Sequence, residues 1–576
     1  MLETWKIPGT EELTAAKPGQ VIALTGVNAT LAAVLACRTA AAGKRTLLVT
    51  ENDLKASRAA DDVRQLTGAC AFLPGGEIDL TRAAGSLESS WRRLEALSAV
   101  CEGSVRVLCT GAEAMAQRMG RPEPFRALCM TIRRGDTVSP ALLTERLCRM
   151  GYERVGMVEG KGQFALRGSI LDVYPPALSQ GVRIEFFDDE VDSLREFDCI
   201  SQRSLGSTEQ LLLTPACEAL LEEAEYPEAA GRMREAVNRM PGSREEEEVP
   251  WVDSLPPLPE DEEDDAELFD RAVAPALREA RYRAAETGEA DRRISRLRSD
   301  ADSLEAGIPF RRMRSWITVL TEKTGTVCDW FRPEIILLCE PDRQRTRIEE
   351  RRAGFAEDLA SAMARSEAVR EQETLLTDWA GVMKETAGVP RGVLTEMLLG
   401  LGGICPDTVI DTEAAGIPGY GGQIRTLKND LSTWRVAGYR ITLLSGGSSR
   451  GKRLEESLRE LGERAVFSEE ARESAPGEAV ILPMTLRCGF VLKKCGAVVV
   501  SDADIWGEGY RKSKSRKHSG ERISTFTDLK VGDYVVHEDH GVGIYRGITR
   551  IQSEGTWRDY LLIQYDGHDK LYVPVE

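Results

Sequence analysis

Short apolar runs recur along this chain, and each is followed by a stretch that reads as helix. Val21–Thr25 (VIALT), Arg45–Thr50 (RTLLVT), Val105–Thr110 (VRVLCT) and Glu334–Cys339 (EIILLC) are such runs. Arg440–Leu444, Ala479–Leu482 and Gly496–Ser501 (GAVVVS) repeat the pattern later. A strand that is apolar at every position must be buried on both faces. The intervening helical stretches, such as Thr30–Ala42, supply the cover. The chain is therefore expected to be multidomain α/β, built on parallel sheets. Its 576 residues suit about three to five domains.

The pattern changes at 119–207. GQFALRGSILDVYPP (162–176) and VRIEFFDDEVDSLREFD (182–198) alternate apolar with polar residues and read as antiparallel hairpins in a small α+β domain. Within them Asp188, Asp189 and Glu190 read as solvated turn residues. Residues 208–346 hold helices and a late strand, followed by a long charged helical run from about Arg343 to Glu385. Residues 347–509 read as a second, small α/β domain. The last fifty residues alternate with glycine at the turns, which suggests a small SH3-like or Tudor-like β-barrel.

Charge is localised. Thirteen acidic residues and no Lys or Arg lie between Glu245 and Asp270; removing them from the net charge of −18 leaves −5 for the other 550 residues. This segment is expected to be a mobile surface loop, and it is no argument against nucleic-acid work elsewhere. RKSKSRKHSGER (511–522) reads as a basic linker within 510–525. Thirteen Cys without a C-x-x-C pair fit a reducing cytosol. No apolar run reaches membrane-spanning length, and the N-terminus lacks a signal-peptide core. All four His (518, 537, 540 and 568) lie in the last sixty residues, which excludes histidine chemistry upstream. His537 and His540 read as part of a turn rather than a metal pair.

Two places approach a phosphate loop. Thr25–Leu31 (TGVNATL) lies between strand and helix, with Gly26, Asn28 and Thr30, but it lacks the second glycine and the lysine. It reads either as residual nucleotide binding or as a turn capped by Asn28 or Thr30. Gly446–Arg453 (GGSSRGKR) offers Gly446, Gly451 and Lys452, but Arg453 stands where Ser or Thr would hold magnesium. After EIILLC the chain has Glu340-Pro341-Asp342, without the paired carboxylates of an ATPase. These are degenerate phosphate loops on an ATPase-like sheet, and ATP hydrolysis by this chain is not expected.

The blocks at 162–176 and 182–204 resemble the module shared by UvrB and the transcription-repair coupling factors. LKVGDYVVHEDHGVGIYRGI to the end (529–576) is similar to the RNA polymerase interaction domain of that family, itself related to CarD. CGFVLKKCGAVVVSDADIWG (488–507) resembles the segment before it. The resemblance implies a UvrB-like degenerate ATPase-fold domain in two parts, 1–118 and 208–346. A UvrA-binding domain at 119–207 is inserted between them, and a polymerase-binding domain occupies 526–576. It implies UvrA binding through Arg167, Arg183 and Phe187, and binding of the RNA polymerase β subunit through Tyr545, Arg546, Gly547, Ile548, Thr549, Arg550 and Ile551. The family is bacterial and cytoplasmic, and the chain is expected to be a monomer without cofactor. The family's DNA translocase motor, which takes ATP and Mg and grips double-stranded DNA, lies beyond the point where this sequence stops. The chain is therefore expected to correspond to the N-terminal half. The competing readings are an autonomous UvrB-like ATPase and a CarD-like transcription regulator.

Overall fold

The computed structural model describes residues 5–76, 78–80, 87–240, 292–397, 400–507, 532–537, 541–553, 556–564 and 570–574. The acidic segment 245–270 and the basic run 511–518 lie outside these residues. The chain divides into two compact units, 1–510 and 511–576.

The first unit is built on a seven-stranded sheet, parallel throughout. Its spatial order is Thr408–Asp411, Val21–Thr25, Arg391–Leu394, Ile335–Cys339, Thr46–Thr50, Val107–Gly111 and Cys70–Leu73. The apolar runs are its central strands, buried on both faces as their composition requires. Arg391–Leu394 and Thr408–Asp411, which the sequence reading places in the separate 347–509 domain, pair into this sheet. The second sheet starts only at Ala414. A four-residue run carries too little pattern to declare its neighbours, because the pairings that settle it lie hundreds of residues away. The charged run from Arg343 is likewise broken: the helix Pro341–Ala364 ends before Ser366, whose φ is +55°, and a separate helix follows at Trp379–Glu385.

The second sheet is mixed, with Arg440–Leu444 parallel to both Ala479–Leu482 and Ala497–Val500. The two sheets share a core. Leu24, Leu31, Val34 and Leu337 pack in one cluster with Leu444, Leu482, Phe490 and Val499. The helix Ala29–Ala41 (ATLAAVLACRTAA) passes through this cluster. It buries Thr30 to Cys37 without a break, which explains why it has almost no polar face.

Between the halves of the large sheet sits the inserted α+β domain. Met130–Arg133 and Gln210–Leu213 pair antiparallel as its stem. Six strands follow in the order Ser204–Ser207, Glu190–Phe197, Gly181–Phe187, Ile170–Val173, Gln163–Arg167 and Glu153–Arg154. One face packs on Leu143, Leu147, Leu171, Ile184 and Phe186. The other face carries a small apolar cluster of Val158, Ala165 and Phe197 among charged residues.

The C-terminal unit is a four-stranded antiparallel sheet in the order Tyr534–His537, Gly541–Ser553, Thr556–Gln564, Lys570–Pro574. The expected barrel is not closed among the described residues: the first and last strands do not pair. Val535, Tyr545 and Ile563 form its small core.

Candidate docking sites

The outer face of the inserted domain carries the first site. Along Gly181–Phe187, Val182, Ile184 and Phe186 point into the core, while Arg183, Glu185 and Phe187 point out. Asp172, on the neighbouring strand, lies directly opposite Arg183. Its carboxylate is fully buried, although it belongs to the outer face, because two guanidinium groups cover it. Arg183 Nε donates to Asp172 Oδ1 (2.7 Å), Arg183 Nη2 to Oδ2 (3.0 Å), and Arg167 Nη2 to the same Oδ2 (2.5 Å). The hydrogen bonds to Asp172 raise the Arg183 pKa above its ordinary value. The Arg183 guanidinium also lies 5.1 Å above the ring of Phe197.

Phe187 ends the strand at the hairpin whose turn residue Asp188 has φ +52°, and 74% of its surface is exposed. Glu185 accepts from Ser193 Oγ (2.6 Å) and faces Arg195 at 3.6 Å. Arg167 and Arg183 are thus brought together, with Phe187 four residues along the same face. Asp172 was not singled out from the sequence. One Asp in an alternating strand reads as solvated; only its position between Leu171 and Val173, directly across from an arginine, sets it apart.

The second site is the strand Gly541–Ser553. It pairs along most of its length with Thr556–Gln564, whereas Tyr534–His537 covers only Gly541–Ile544. Beyond a bulge between Tyr545 and Gly547, the residues to Ser553 have one edge that meets no strand among the described residues. Tyr545 itself is core, packed with Val535 and Ile563. Arg546 is exposed and donates through Nε to Gln564 Oε1 (2.8 Å). Gly547 and Thr549 are half-buried. Ile548, Arg550 and Ile551 hold strand positions on the same segment.

Polar groups of both loop turns bond within the protein. Gly26 N–H donates to Glu396 O and Val27 N–H to Thr395 O, so neither amide faces a ligand. Asn28 caps the helix by accepting from Leu31 N–H (2.9 Å). Residues 487–489 bond to the side chains of this turn and of the helix beside it. Asn28 Nδ2 donates to Gly489 O (2.9 Å), Cys488 N–H donates to Thr30 Oγ1 (3.1 Å), and Arg487 N–H donates to Asp62 Oδ1 (3.1 Å).

At the second loop, Gly446 N–H donates to Met484 O, and Ser448 Oγ donates to the carboxylate of Glu469 (2.8 Å). Lys452 also turns to Glu469 (3.8 Å) and lies over the Phe467 ring. Gly451 owes its place to packing, since a Cβ there would run into that ring. Glu340 spends its carboxylate on Glu396 N–H (2.8 Å). A cavity of about 600 Å³ at the carboxyl ends of the strands is lined by Glu51, Asp53, Glu113, Asp342, Arg343 and Arg347. Its acids outnumber its arginines, the wrong balance for a phosphate, and Arg347 pairs with Glu113 at 2.7 Å.

Among the described residues no cluster of His, Cys, Asp or Glu is arranged to hold a metal, and no helix is long and apolar enough to cross a membrane. All thirteen cysteines are free thiols.

Residues 130–218, from the stem strand to Glu218, match the family of the UvrB interaction domain; residues 529–576 match the CarD-like/TRCF RID domain. The chain therefore joins a UvrB-type interaction domain to a CarD-like domain of the kind found in transcription-repair coupling factors. Over 92% of its length it is similar, at 24% identity, to the transcription-repair-coupling factor of Bacillus subtilis strain 168; over 94%, at 24%, it is similar to that of Staphylococcus aureus RF122. It spans 42% and 43% of those proteins, less than half of each.

Proposed function

We propose that this chain is the docking half of a cytoplasmic, transcription-coupled DNA repair factor. Its C-terminal unit, read as part of an SH3-like or Tudor-like barrel, holds the β subunit of a stalled RNA polymerase. Its inserted domain recruits UvrA to the damaged template strand. In the longer relatives' full length we place an ATP-dependent DNA translocase that takes ATP and Mg, grips double-stranded DNA and displaces polymerase. This half works as a monomer without nucleotide. The observation that carries the reading is the presence on one chain of an arginine platform with an exposed aromatic and a strand with an open edge. Arginine and aromatic side chains are typical interface anchors, and an open edge binds a partner strand through main-chain hydrogen bonds.

Arg183→Ala and Phe187→Ala are each expected to weaken UvrA binding by about 1–2 kcal/mol, roughly five- to thirtyfold. A pull-down with purified UvrA checks this, and unchanged capture by the double variant would remove the platform from the reading. Ile551→Asp is expected to abolish binding to the polymerase β subunit while the chain keeps its melting temperature. A titration that gives wild-type affinity would show that the edge is not the contact.

A further inference from the structure

The platform holds a buried carboxylate that no docking contact explains. Asp172 has no exposed surface, yet it sits on the outward face of its strand, between Ala165 on one neighbour and Arg183 on the other. Two guanidinium groups converge on it from different strands. Arg183 grips both oxygens, and Arg167, next to the Gly168 turn, reaches back across the hairpin to share Oδ2. A guanidinium has five N–H donors in a rigid plane; Asp172 takes two from Arg183 and one from Arg167. The rest of Arg167 faces solvent, with 48% of its side chain exposed, whereas Arg183 is held to 17% and lies on the ring of Phe197. Without a negative charge between them, two cations at this spacing would swing apart into water.

We propose that Asp172 is the positioning residue of this surface. It fixes Arg167 and Arg183 as one pair that receives a carboxylate of the partner, beside an apolar pocket of the partner that takes Phe187. This rests on the docking reading above and specifies its chemistry: the partner's contact is an acidic side chain flanked by apolar ones. Burying a carboxylate to hold two cations leaves the platform one unit positive, so charge attraction and geometry separate cleanly. Asp172→Asn makes the platform more positive but loosens it. If bulk charge were what mattered, the variant would bind an acidic partner more tightly. If geometry matters, it binds more weakly through faster dissociation.

The experiment is UvrA binding kinetics with the full chain. Asp172→Asn is expected to quicken dissociation by about tenfold without slowing association. Added to the Arg167→Ala/Arg183→Ala variant, it is expected to change affinity by about twofold or less, because its effect passes through the arginines. Arg167→Lys/Arg183→Lys, which keeps both charges and loses the fork, is expected to dissociate faster as well. This pair of changes also serves if Asp172→Asn lowers the melting temperature. Wild-type or tighter binding by Asp172→Asn would overturn the assignment, as would an undiminished effect in the arginine-less background. Unchanged UvrA binding by Arg167→Ala/Arg183→Ala would instead overturn the docking reading itself.

Discussion

Replacing Glu218 by alanine is expected to destabilise the 1–510 unit by about 3–5 kcal/mol. Glu218 is buried between two arginines. Arg93 Nε lies 2.8 Å from one carboxylate oxygen and Arg314 Nε 2.8 Å from the other, while Arg93 is 1% exposed. Both arginines also tie down the turn after Cys70–Leu73, through Pro74 O and Gly75 O for Arg93 and through Gly75 O for Arg314. Removing the carboxylate leaves two cations facing each other away from water, which costs far more than the pair itself contributes.

Burial disfavours ionisation of Glu218 most strongly, but attraction to Arg93 and Arg314 outweighs it and holds the carboxyl below its ordinary value. Burial and repulsion from Arg93 bring Arg314 down to about 10, still protonated at neutral pH. A depressed carboxyl stabilises the fold fully above the unfolded value of 4.5 and loses that contribution as pH falls through the folded value. Urea unfolding at neutral pH should show the full loss for Glu218→Ala. The gap between variant and wild type should narrow below about pH 4.5. A neutral-pH difference of under about 1 kcal/mol would show that the triad contributes little.

Gly489→Ala is expected to cost about 2–3 kcal/mol. A methyl group there would overlap Val499 O and Asp504 Oδ2 and crowd Ile417. Two of these contacts are rigid, because Val499 O is sheet backbone and Asp504 is held by Ser501. The segment 487–489 would have to lift, and with it the hydrogen bonds to Asn28 and Thr30 that join the two sheets. Gly416→Ala is the control: it has open space around it, and its expected effect is within about 0.5 kcal/mol. Thermal unfolding measures both. Hydrogen exchange should place the added opening at the start of the helix Ala29–Ala41. Equal melting temperatures for the two variants would mean that the close approach at Gly489 is tolerated.

What could be read in advance follows a physical divide. Central strands such as Thr46–Thr50 announce themselves because burial on both faces demands apolar residues throughout. Arg391–Leu394 and Thr408–Asp411 do not, since their membership of the large sheet depends on partners far away in sequence. The degenerate loops showed what they lacked, namely a lysine in one and a magnesium ligand in the other. Nothing local in Asn28 or Thr30 indicates that Gly489 and Cys488 bond to them. The alternation in 182–187 puts Arg183 and Phe187 on one face; their role came from resemblance, and the carboxylate beneath them emerged only with the register of Ile170–Val173 against Gly181–Phe187.

The stem of the inserted domain has a mechanical consequence. Met130 faces Leu213 at the body end, and Arg133 faces Gln210 at the far end, so the chain enters and leaves side by side. A pull on whatever is held at Phe187 loads two covalent strands running abreast. The hydrogen bonds between those strands lie across the line of force and carry little of it. Trp91 packs against Gly162 and Arg149 pairs with Glu223, so the domain is braced on the body as well as tied to it.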